Sequence, residues 1–332
     1  MKIFKWHTQT MLQLVAQRSK LAHALLIYGR EGTGEIDFAI AFAQTLLCEK
    51  PSPSGLACGE CPACNWFLLG NHPDFRLIQP DSFFAGGDED LPEQKKEKRS
   101  NQIRIEQVRE LQDFLSVGTR RRGHRVIVLH PADTMNPQTQ NALLKSLEEP
   151  PPSTVFMLVT NRPHRLRPTV RSRTRAVPLP FPDRTDAAEW LAKEGFAESE
   201  AMLALSGGAP LAALRAAESD PHRRGLTKAL LDPRFDVIST VEHCLKVETP
   251  EATGWLQRWT YDLIRSRISG TVRYHPSEAA ALARLAQRAE PVALTAYWRV
   301  LARARALAQH PLNARLFFED LLFQYRNIIA AS

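Results

Sequence analysis

Residues 29–36 read Gly-Arg-Glu-Gly-Thr-Gly-Glu-Ile, between an apolar run that ends at Tyr28 and a helical pattern that extends to Leu47. A strand, a glycine-rich loop and a helix in this order are typical of the phosphate-binding loop G-x-x-x-x-G-K-[ST]. The glycines of that pattern are present, but Glu35 stands at the lysine position and Ile36 at the hydroxyl position. The sequence therefore predicts a degenerate loop formed by Gly29, Gly32, Thr33, Gly34, Glu35 and Ile36.

The two replaced residues are the ones that carry the chemistry of a working loop. Its lysine reaches the β- and γ-phosphates and its hydroxyl holds Mg²⁺, while backbone amides cradle the phosphates. Two unit charges about 4 Å apart interact by about 4 kcal/mol at an effective dielectric constant of about 20, so an anion in place of a cation changes the balance by about twice that. Because the amides alone do not offset such a change, we expect no ATP hydrolysis at this loop.

The acidic residues expected at the end of a second apolar strand are also missing. In nucleotide-hydrolysing proteins of this kind, acidic residues at this point hold Mg²⁺ and polarise water. Here His130 and Pro131 follow the run at residues 126–129, and Asp133 lies further on, where it is expected to cap a helix or form a turn. Two independent defects predict that the chain has no ATPase activity of its own.

Four of the five cysteines follow the pattern C-x9-C-x2-C-x2-C, at Cys48, Cys58, Cys61 and Cys64. In a reducing cytoplasm such a cluster indicates a metal site and not disulfides. Four thiolates close a tetrahedral site with no position left for water, so we expect a structural Zn²⁺ and no catalysis by the metal. Two alternatives stay open: a redox pair at Cys61 and Cys64 with Cys48 as an ordinary helix residue, and His72 as a substitute ligand.

Composition limits the class of protein. A chain of 332 residues is too long for one compact core and suits two or three domains. The excess of 43 basic over 36 acidic residues, a net charge of +7, is only a weak indication of a nucleic-acid partner. No run approaches 18 apolar residues, and the N-terminus lacks the apolar segment of a signal peptide. These features predict a cytoplasmic protein without a membrane partner.

Along residues 1–178, strand-like apolar runs alternate with helical patterns, which predicts a mostly parallel α/β sheet. The runs lie at residues 23–28, 75–78, 126–129 and 155–159. Residues 81–100 interrupt this alternation with paired glycines, a group of acidic residues and a group of basic residues. Their low apolar content predicts a mobile insertion.

Beyond the prolines at residues 178–182 the composition changes. Alanine, leucine and arginine dominate and strand-like runs disappear, which predicts a linker followed only by helices. We place two helical domains at residues 179–222 and 223–332. The apolar residues expected to bury helix faces in the second are Trp255, Trp259, Leu263, Leu316, Phe317, Leu321 and Leu322.

Residues 169–175 read Thr-Val-Arg-Ser-Arg-Thr-Arg and come just after the run that ends near Thr160. An arginine of one subunit can stabilise transition-state charge in the nucleotide site of its neighbour, an effect of about 10³ to 10⁵ in rate in GTPases. The alternative is that these arginines only flank a strand or contact phosphate backbones. The residues alone leave both possibilities open.

Together, these motifs resemble the AAA+ family of bacterial clamp-loader subunits, and among them the delta-prime family of DNA polymerase III. The resemblance covers residues 1 to about 180, while the helical remainder matches only in length and character. The chain differs from the gamma and tau ATPase subunits of this family, because those subunits keep the loop lysine and the acidic pair. The motifs are His-Ala-Leu-Leu at 23–26, the Gly29 loop, the four cysteines, Asn-Ala-Leu-Leu-Lys-Ser-Leu-Glu-Glu-Pro-Pro at 141–151, Thr160-Asn161 and Ser172-Arg173.

The resemblance implies an AAA+ fold. A RecA-like α/β domain would carry an inserted zinc module at about residues 48–64, followed by an all-helical lid and a C-terminal helical collar that joins five subunits into a ring. It further implies a non-hydrolysing subunit within the DNA polymerase III holoenzyme. Its partners would be the gamma or tau ATPases and the delta subunit, which together load the sliding clamp on primer-template DNA.

The same resemblance assigns a role to one arginine. In the family, a Ser-Arg-Cys motif supplies an arginine finger to the adjacent ATPase subunit, and here the motif reads Ser172-Arg173-Thr174. Because the guanidinium carries the chemistry, we expect Arg173 to keep this function and the change at Thr174 to affect only local packing.

Two other functions remain as alternatives. An active loader-type ATPase would need a substitute for the missing lysine, and Glu35 cannot supply one. A zinc-dependent DNA-binding protein would read DNA through the cysteine module, but the aromatic residues beside it, Trp66 and Phe67, are expected in the core and not as stacking platforms.

Overall fold

The computed structural model describes residues 3–84, 100–116, 123–196, 198–308, 310 and 312–330. Most of the predicted insertion at residues 81–100 lies outside these ranges. The chain divides into two compact units, Met1–Asp183 and Arg184–Ser332. Each unit has hydrophobic cores of its own.

A five-stranded sheet forms the centre of the first unit. Its strands are β1 (Ala24–Tyr28), β2 (Phe75–Ile78), β3 (Arg125–Leu129), β4 (Thr154–Thr160) and β5 (Arg175–Pro178). They are arranged in the order β2-β3-β4-β1-β5, and every pairing is parallel. All residues of β3 and β4 are buried, as is usual for parallel strands covered on both faces. The predicted parallel α/β sheet is confirmed.

Helices cover both faces of the sheet. One face carries α1 (Thr8–Ala16), α2 (Glu35–Leu47) and α3 (Pro62–Leu68), and the other carries α4 (Ile105–Ser116), α5 (Pro137–Glu148) and α6 (Pro168–Arg171). Successive side chains of a strand point to opposite faces, so in β4 Met157 packs with the first group and Phe156 with the second. The first unit is therefore a sheet between two helical layers.

The fifth strand was not predicted from the sequence, which placed a linker at Pro178. β5 lies at the edge of the sheet, where it pairs with β1 from Leu25↔Arg175 to Tyr28↔Pro178. Only Val177 of its four residues is buried, so the strand leaves no apolar pattern. A proline lacks the amide hydrogen that an inner strand needs, but an edge strand tolerates it.

The second unit is helical throughout its described residues. It contains α7 (Arg184–Lys193), α8 (Ser199–Leu205), α9 (Pro210–Ala216), α10 (Asp220–Leu230), α11 (Val237–Leu245), α12 (Thr249–Ser269), α13 (Ala279–Gln287), α14 (Pro291–Leu307) and α15 (Ala314–Ala330). Within the described ranges, no helix is both long and apolar enough to cross a bilayer. A small core joins α7, α8 and α9, and a larger one begins at α10. The predicted border at residues 222/223 falls inside α10, and the division into lid and collar stays a prediction.

The large core contains most of the apolar residues that the sequence placed there. Those that are buried are Trp255, Trp259, Leu263, Leu321 and Leu322, and Phe317 is partly buried. Leu316 differs, since 62% of its surface is exposed. The buried stripe of α15 runs through Phe318, Leu321, Leu322 and Tyr325, with the spacing of one helix face, and Leu316 lies off that stripe.

A buried aspartate of α12 accepts hydrogen bonds from the loop that follows this helix. Asp262 of α12 is fully buried and accepts hydrogen bonds from the backbone amides of Arg273 (2.8 Å), Tyr274 (2.9 Å) and His275 (2.7 Å). Its Oδ2 also lies 2.9 Å from His275 Nδ1. Burial alone would raise the pKa of Asp262, but the hydrogen bonds from His275 and the amides lower it. The ionised carboxylate therefore organises the turn after α12.

We expect Asp262→Asn to destabilise the helical unit by about 1–3 kcal/mol, because the amide loses the charge and turns N–H donors toward the loop amides. The measurement is the urea midpoint of the full chain, followed by far-ultraviolet circular dichroism. Asp320→Asn is the matched control, since Asp320 is exposed and accepts a hydrogen bond from Gln324 in its own helix. Equal midpoints for the two variants would contradict the role of Asp262.

Candidate functional site

The sheet brings the glycine loop, Asn161 and His130 to the edge formed by the carboxyl ends of its strands, whereas Arg173 precedes β5 and lies at the opposite edge. The register of β1 with β4 aligns Tyr28 with Thr160, the last residue of each strand. The Gly29 loop and Asn161 therefore leave the sheet side by side, and His130 follows the end of β3. The carboxyl ends of parallel strands are where open α/β sheets bind their ligands.

Two glycines of the loop have a left-handed backbone conformation. Gly32 and Gly34 have φ values of 81° and 94°, a left-handed conformation that glycine adopts without steric cost. The loop is supported from the N-terminal segment, because Trp6 Nε1 donates a hydrogen bond to the Thr33 carbonyl at 2.9 Å. The Thr33 hydroxyl in turn donates to the Arg30 carbonyl at 2.8 Å. Helix α2 begins directly after the loop, at Glu35.

The side chain of Glu35 folds back onto the loop. It is buried, and its Oε2 accepts a hydrogen bond from the Gly34 amide at 3.1 Å. It also lies against Gly29, where an added Cβ would come within 3.3 Å of Glu35 Cγ. In a working loop the amides point at a bound phosphate. Here one of them points at the carboxylate of the chain itself, and an incoming phosphate would meet a like charge.

A histidine and an engaged carboxylate follow the end of β3, where a hydrolysing site would have free acidic residues. Burial lowers the pKa of His130 to about 4, so its ring is neutral at pH 7, and its Nδ1 lies 3.3 Å from Gln79 Nε2. Asp133 lies in a single turn of 3₁₀ helix, Ala132–Thr134, and its Oδ1 accepts a hydrogen bond from Thr160 Oγ1 at 2.5 Å. It caps no helix, because Asn136 caps α5 by accepting from the Thr139 amide. The nearest carboxylate is thus bound to β4.

The four clustered cysteines converge on one point. Their sulfur atoms all lie within 4.8 Å of one another, with Cys48 Sγ 3.6 Å from Cys58 Sγ and 3.9 Å from Cys61 Sγ. Cys58 Sγ lies 4.0 Å from Cys64 Sγ. A tetrahedral site with Zn–S bonds of about 2.3 Å requires sulfur atoms about 3.8 Å apart. The four cysteines therefore form a group that could hold a metal ion of this size.

Backbone amides of this segment donate hydrogen bonds to sulfur atoms of the cysteine group. Cys48 follows α2, and Cys61 is the N-cap of α3, where its sulfur accepts from the Cys64 amide. The Cys58 sulfur accepts from the Cys61 amide at 3.3 Å, and Gly59 between them has a φ of 79°. Such amide donors stabilise thiolates.

The alternatives to a four-cysteine site concern Cys48 and His72 as well as a redox pair at Cys61 and Cys64, and the structure bears on the first two residues. Cys48 is more than an ordinary helix residue, since its sulfur belongs to the cluster. His72 lies outside the cluster, and its Nδ1 accepts a hydrogen bond from the Asp74 amide. Of the aromatic neighbours, Phe67 is buried as expected, whereas Trp66 is 36% exposed.

Arg173 lies in the turn between α6 and β5. Its Nη1 donates to the Thr169 carbonyl at 2.9 Å and lies 3.5 Å from Ser172 Oγ, and its Nη2 lies 2.5 Å from Glu148 Oε1. The side chain remains 36% exposed. The guanidinium of Arg173 is therefore at the surface and is bound to Thr169 and Glu148 of the same chain.

Comparison with known proteins identifies the family. The family described as DNA polymerase III, delta subunit, matches residues 5–183, and its C-terminal family matches residues 219–327. DNA polymerase III subunit delta' of Pseudomonas aeruginosa is 32% identical over 98% of both chains. The chain belongs to the DNA polymerase III delta-prime family. The delta' subunit of Escherichia coli is 29% identical over 99% of this chain and 97% of its own.

Relatives outside the delta-prime family share parts of the chain or its fold. The tau subunit of Bacillus subtilis is 29% identical over 50% of this chain and 26% of its own. The crystal structure of a gamma subunit-related protein from Thermotoga maritima covers 96% of this chain and 99% of its own, with a TM-score of 0.50 and 17% identity. That structure shows a similar fold.

Two contacts of this delta-prime family member had no signal in its sequence. Trp6 donates to the Thr33 carbonyl from 27 positions away, and Glu148 of α5 pairs with Arg173 in the turn before β5. Neither contact follows a periodic pattern, so residue spacing could not reveal it. Glu148 stood inside the motif at residues 141–151, but without an assigned role.

Proposed function

We propose that this chain is the non-hydrolysing subunit of the DNA polymerase III clamp loader, which helps to open the sliding clamp and load it on primed DNA. The observation that carries the proposal is the buried Glu35 carboxylate, which occupies an amide of the nucleotide loop. With His130 in place of a metal-binding acid, the chain lacks both requirements for hydrolysis. It would act by assembling with the other loader subunits and by contributing a residue to the nucleotide site of a neighbouring subunit.

The partners follow from the family. Relatives of this chain are named delta' and tau, which supports assembly with tau or gamma ATPase subunits. We further propose that the delta subunit completes a five-membered ring with them in the cytoplasm. Residues 179–222 would form the lid and residues 223–332 the collar that joins the subunits. The sliding clamp and primer-template DNA would be contacted by the assembled ring. In this role the chain belongs to the polymerase holoenzyme without catalysis of its own.

Arg173 is the residue that would act on the neighbour. Its guanidinium is at the surface, on a turn fixed between α6 and the edge strand β5. Planar guanidinium groups bind phosphate oxygens through two parallel hydrogen bonds and stay charged at any physiological pH. Ser172 and the Thr169 carbonyl orient the side chain. We assign Arg173 as the arginine finger in trans.

The cysteine group would hold a structural Zn²⁺ through Cys48, Cys58, Cys61 and Cys64. The sulfur separations match a tetrahedral thiolate site, and three of the four cysteines are buried. The metal would supply cross-links between the end of α2, the following loop and α3. No open coordination position is left for a substrate.

The finger is tested with a reconstituted loader, clamp and primed DNA. Arg173→Ala should leave assembly intact and slow ATP hydrolysis at the adjacent site by about 10³-fold or more, so that the remaining DNA-stimulated rate reports the other sites. Arg171→Ala is the matched control, because Arg171 is an exposed arginine at the end of α6, two residues before Arg173. It should hydrolyse ATP at the wild-type rate.

Two results would reject this assignment. If Arg173→Ala fails to assemble, the arginine is structural. If it assembles and keeps the wild-type rate, the chain is a scaffold only.

The metal is tested on the purified full chain. Wild type should contain about one equivalent of zinc, and Cys58→Ser should lose it, because three thiolates with a hydroxyl bind Zn²⁺ more weakly. Cys244→Ala, which removes the buried cysteine of the helical unit, should keep its zinc. A chelator should lower the melting temperature of wild type. An unchanged melting temperature in metal-free protein would contradict a structural site.

A further inference from the structure

The guanidinium of Arg173 is bound to its own subunit in this structure. We propose that Glu148 is a positioning residue that holds the finger at rest and competes with the neighbour's nucleotide phosphate for it. This inference rests on the proposed function of Arg173. It adds a residue to that function, because Glu148 would set how readily the finger reaches the phosphate.

The contacts show which part of the guanidinium is engaged. Nη2 forms the ion pair with Glu148 at 2.5 Å, and Nη1 donates to the Thr169 carbonyl at 2.9 Å. An arginine that binds a phosphate bidentately presents two parallel N–H groups to it. Both terminal nitrogens are here directed at acceptors of the same chain. A phosphate that binds both of them would therefore compete with Glu148 for Nη2.

The location of Glu148 favours this contact at rest. It is the last residue of α5, where the partial charge of the helix terminus is negative and a carboxylate is unfavourable. The guanidinium supplies the positive charge that this position requires. Glu148 does not stabilise the end of its helix, but it is paired with the finger. This combination favours a role at the site over a role in helix stability.

The exposure of the pair limits its strength. Arg173 is 36% and Glu148 47% exposed, and ion pairs at this level of exposure shift an equilibrium by at most about five-fold. A triphosphate carries more charge than one carboxylate and binds arginine through charge-assisted hydrogen bonds. The pair is thus strong enough to define a resting position and weak enough to be displaced by nucleotide.

The adjacent residue provides a matched control. Glu149 is also exposed and follows Glu148 directly, and among the described residues no salt bridge links it to Arg173. Glu148→Gln and Glu149→Gln remove the same charge from neighbouring positions. Only the first removes the partner of the finger.

The experiment measures ATP hydrolysis by the reconstituted loader, with clamp and primed DNA, as a function of ATP concentration. Glu148→Gln should lower the apparent KM by up to about five-fold and leave kcat unchanged, because phosphate no longer competes with the carboxylate. Glu149→Gln should match wild type in both constants. The double variant Glu148→Gln/Arg173→Ala should match Arg173→Ala alone, since Glu148 acts only through the arginine.

The outcomes separate this inference from the function on which it rests. If Arg173→Ala does not slow hydrolysis, the finger assignment fails. If Arg173→Ala slows hydrolysis, the inference about Glu148 is overturned by any of three results. These are a wild-type KM in Glu148→Gln, a lowered kcat in that variant, or an effect of Glu148→Gln that persists without Arg173. An equal effect of Glu149→Gln would likewise show a general influence of charge.

Discussion

The parallel pairing of β1 with β4 is the contact on which the rest of the first unit depends. It aligns the ends of both strands, from Ala24↔Phe156 to Tyr28↔Thr160, and so brings the glycine loop beside the turn that follows β4. A shift of one residue would exchange the side chains that face the two helical layers, so the register is strongly specified. β5 extends this arrangement on the other side of β1 and fixes the turn that carries Arg173. One sheet therefore positions both the loop and the arginine.

Within this framework the loop and the arginine differ in what they can do. The loop retains its left-handed glycines and its support from Trp6, but its charge has the wrong sign for phosphate. The arginine turn has the right charge and lies at the surface. Under the proposed function, a chain with this combination completes no nucleotide site by itself and contributes Arg173 to the site of another subunit. The replacement at Glu35 and the exposed guanidinium of Arg173 would then serve the same function.

The sequence was sufficient to predict features whose residues lie close together along the chain. The apolar runs predicted β1 to β4 because strands buried on both faces must be almost entirely apolar. The cysteine spacing predicted the cluster because the four cysteines are close along the chain. It was insufficient where a contact joins distant positions: β5 is exposed and ends in Pro178, and Glu148 meets Arg173 through the tertiary fold. The burial of Asp262 beneath residues 273–275 likewise depends on packing. Local patterns carry no information about such pairs.

The central claim is that this chain acts on a nucleotide that it does not hold. The most direct test is equilibrium dialysis of labelled Mg-ATP against the purified chain, with an ATPase subunit of the same loader as the positive control. The account predicts saturable binding to the control and none to this chain, because the Glu35 carboxylate occupies the loop amide and repels phosphate. Saturable, Mg²⁺-dependent binding to this chain would contradict it.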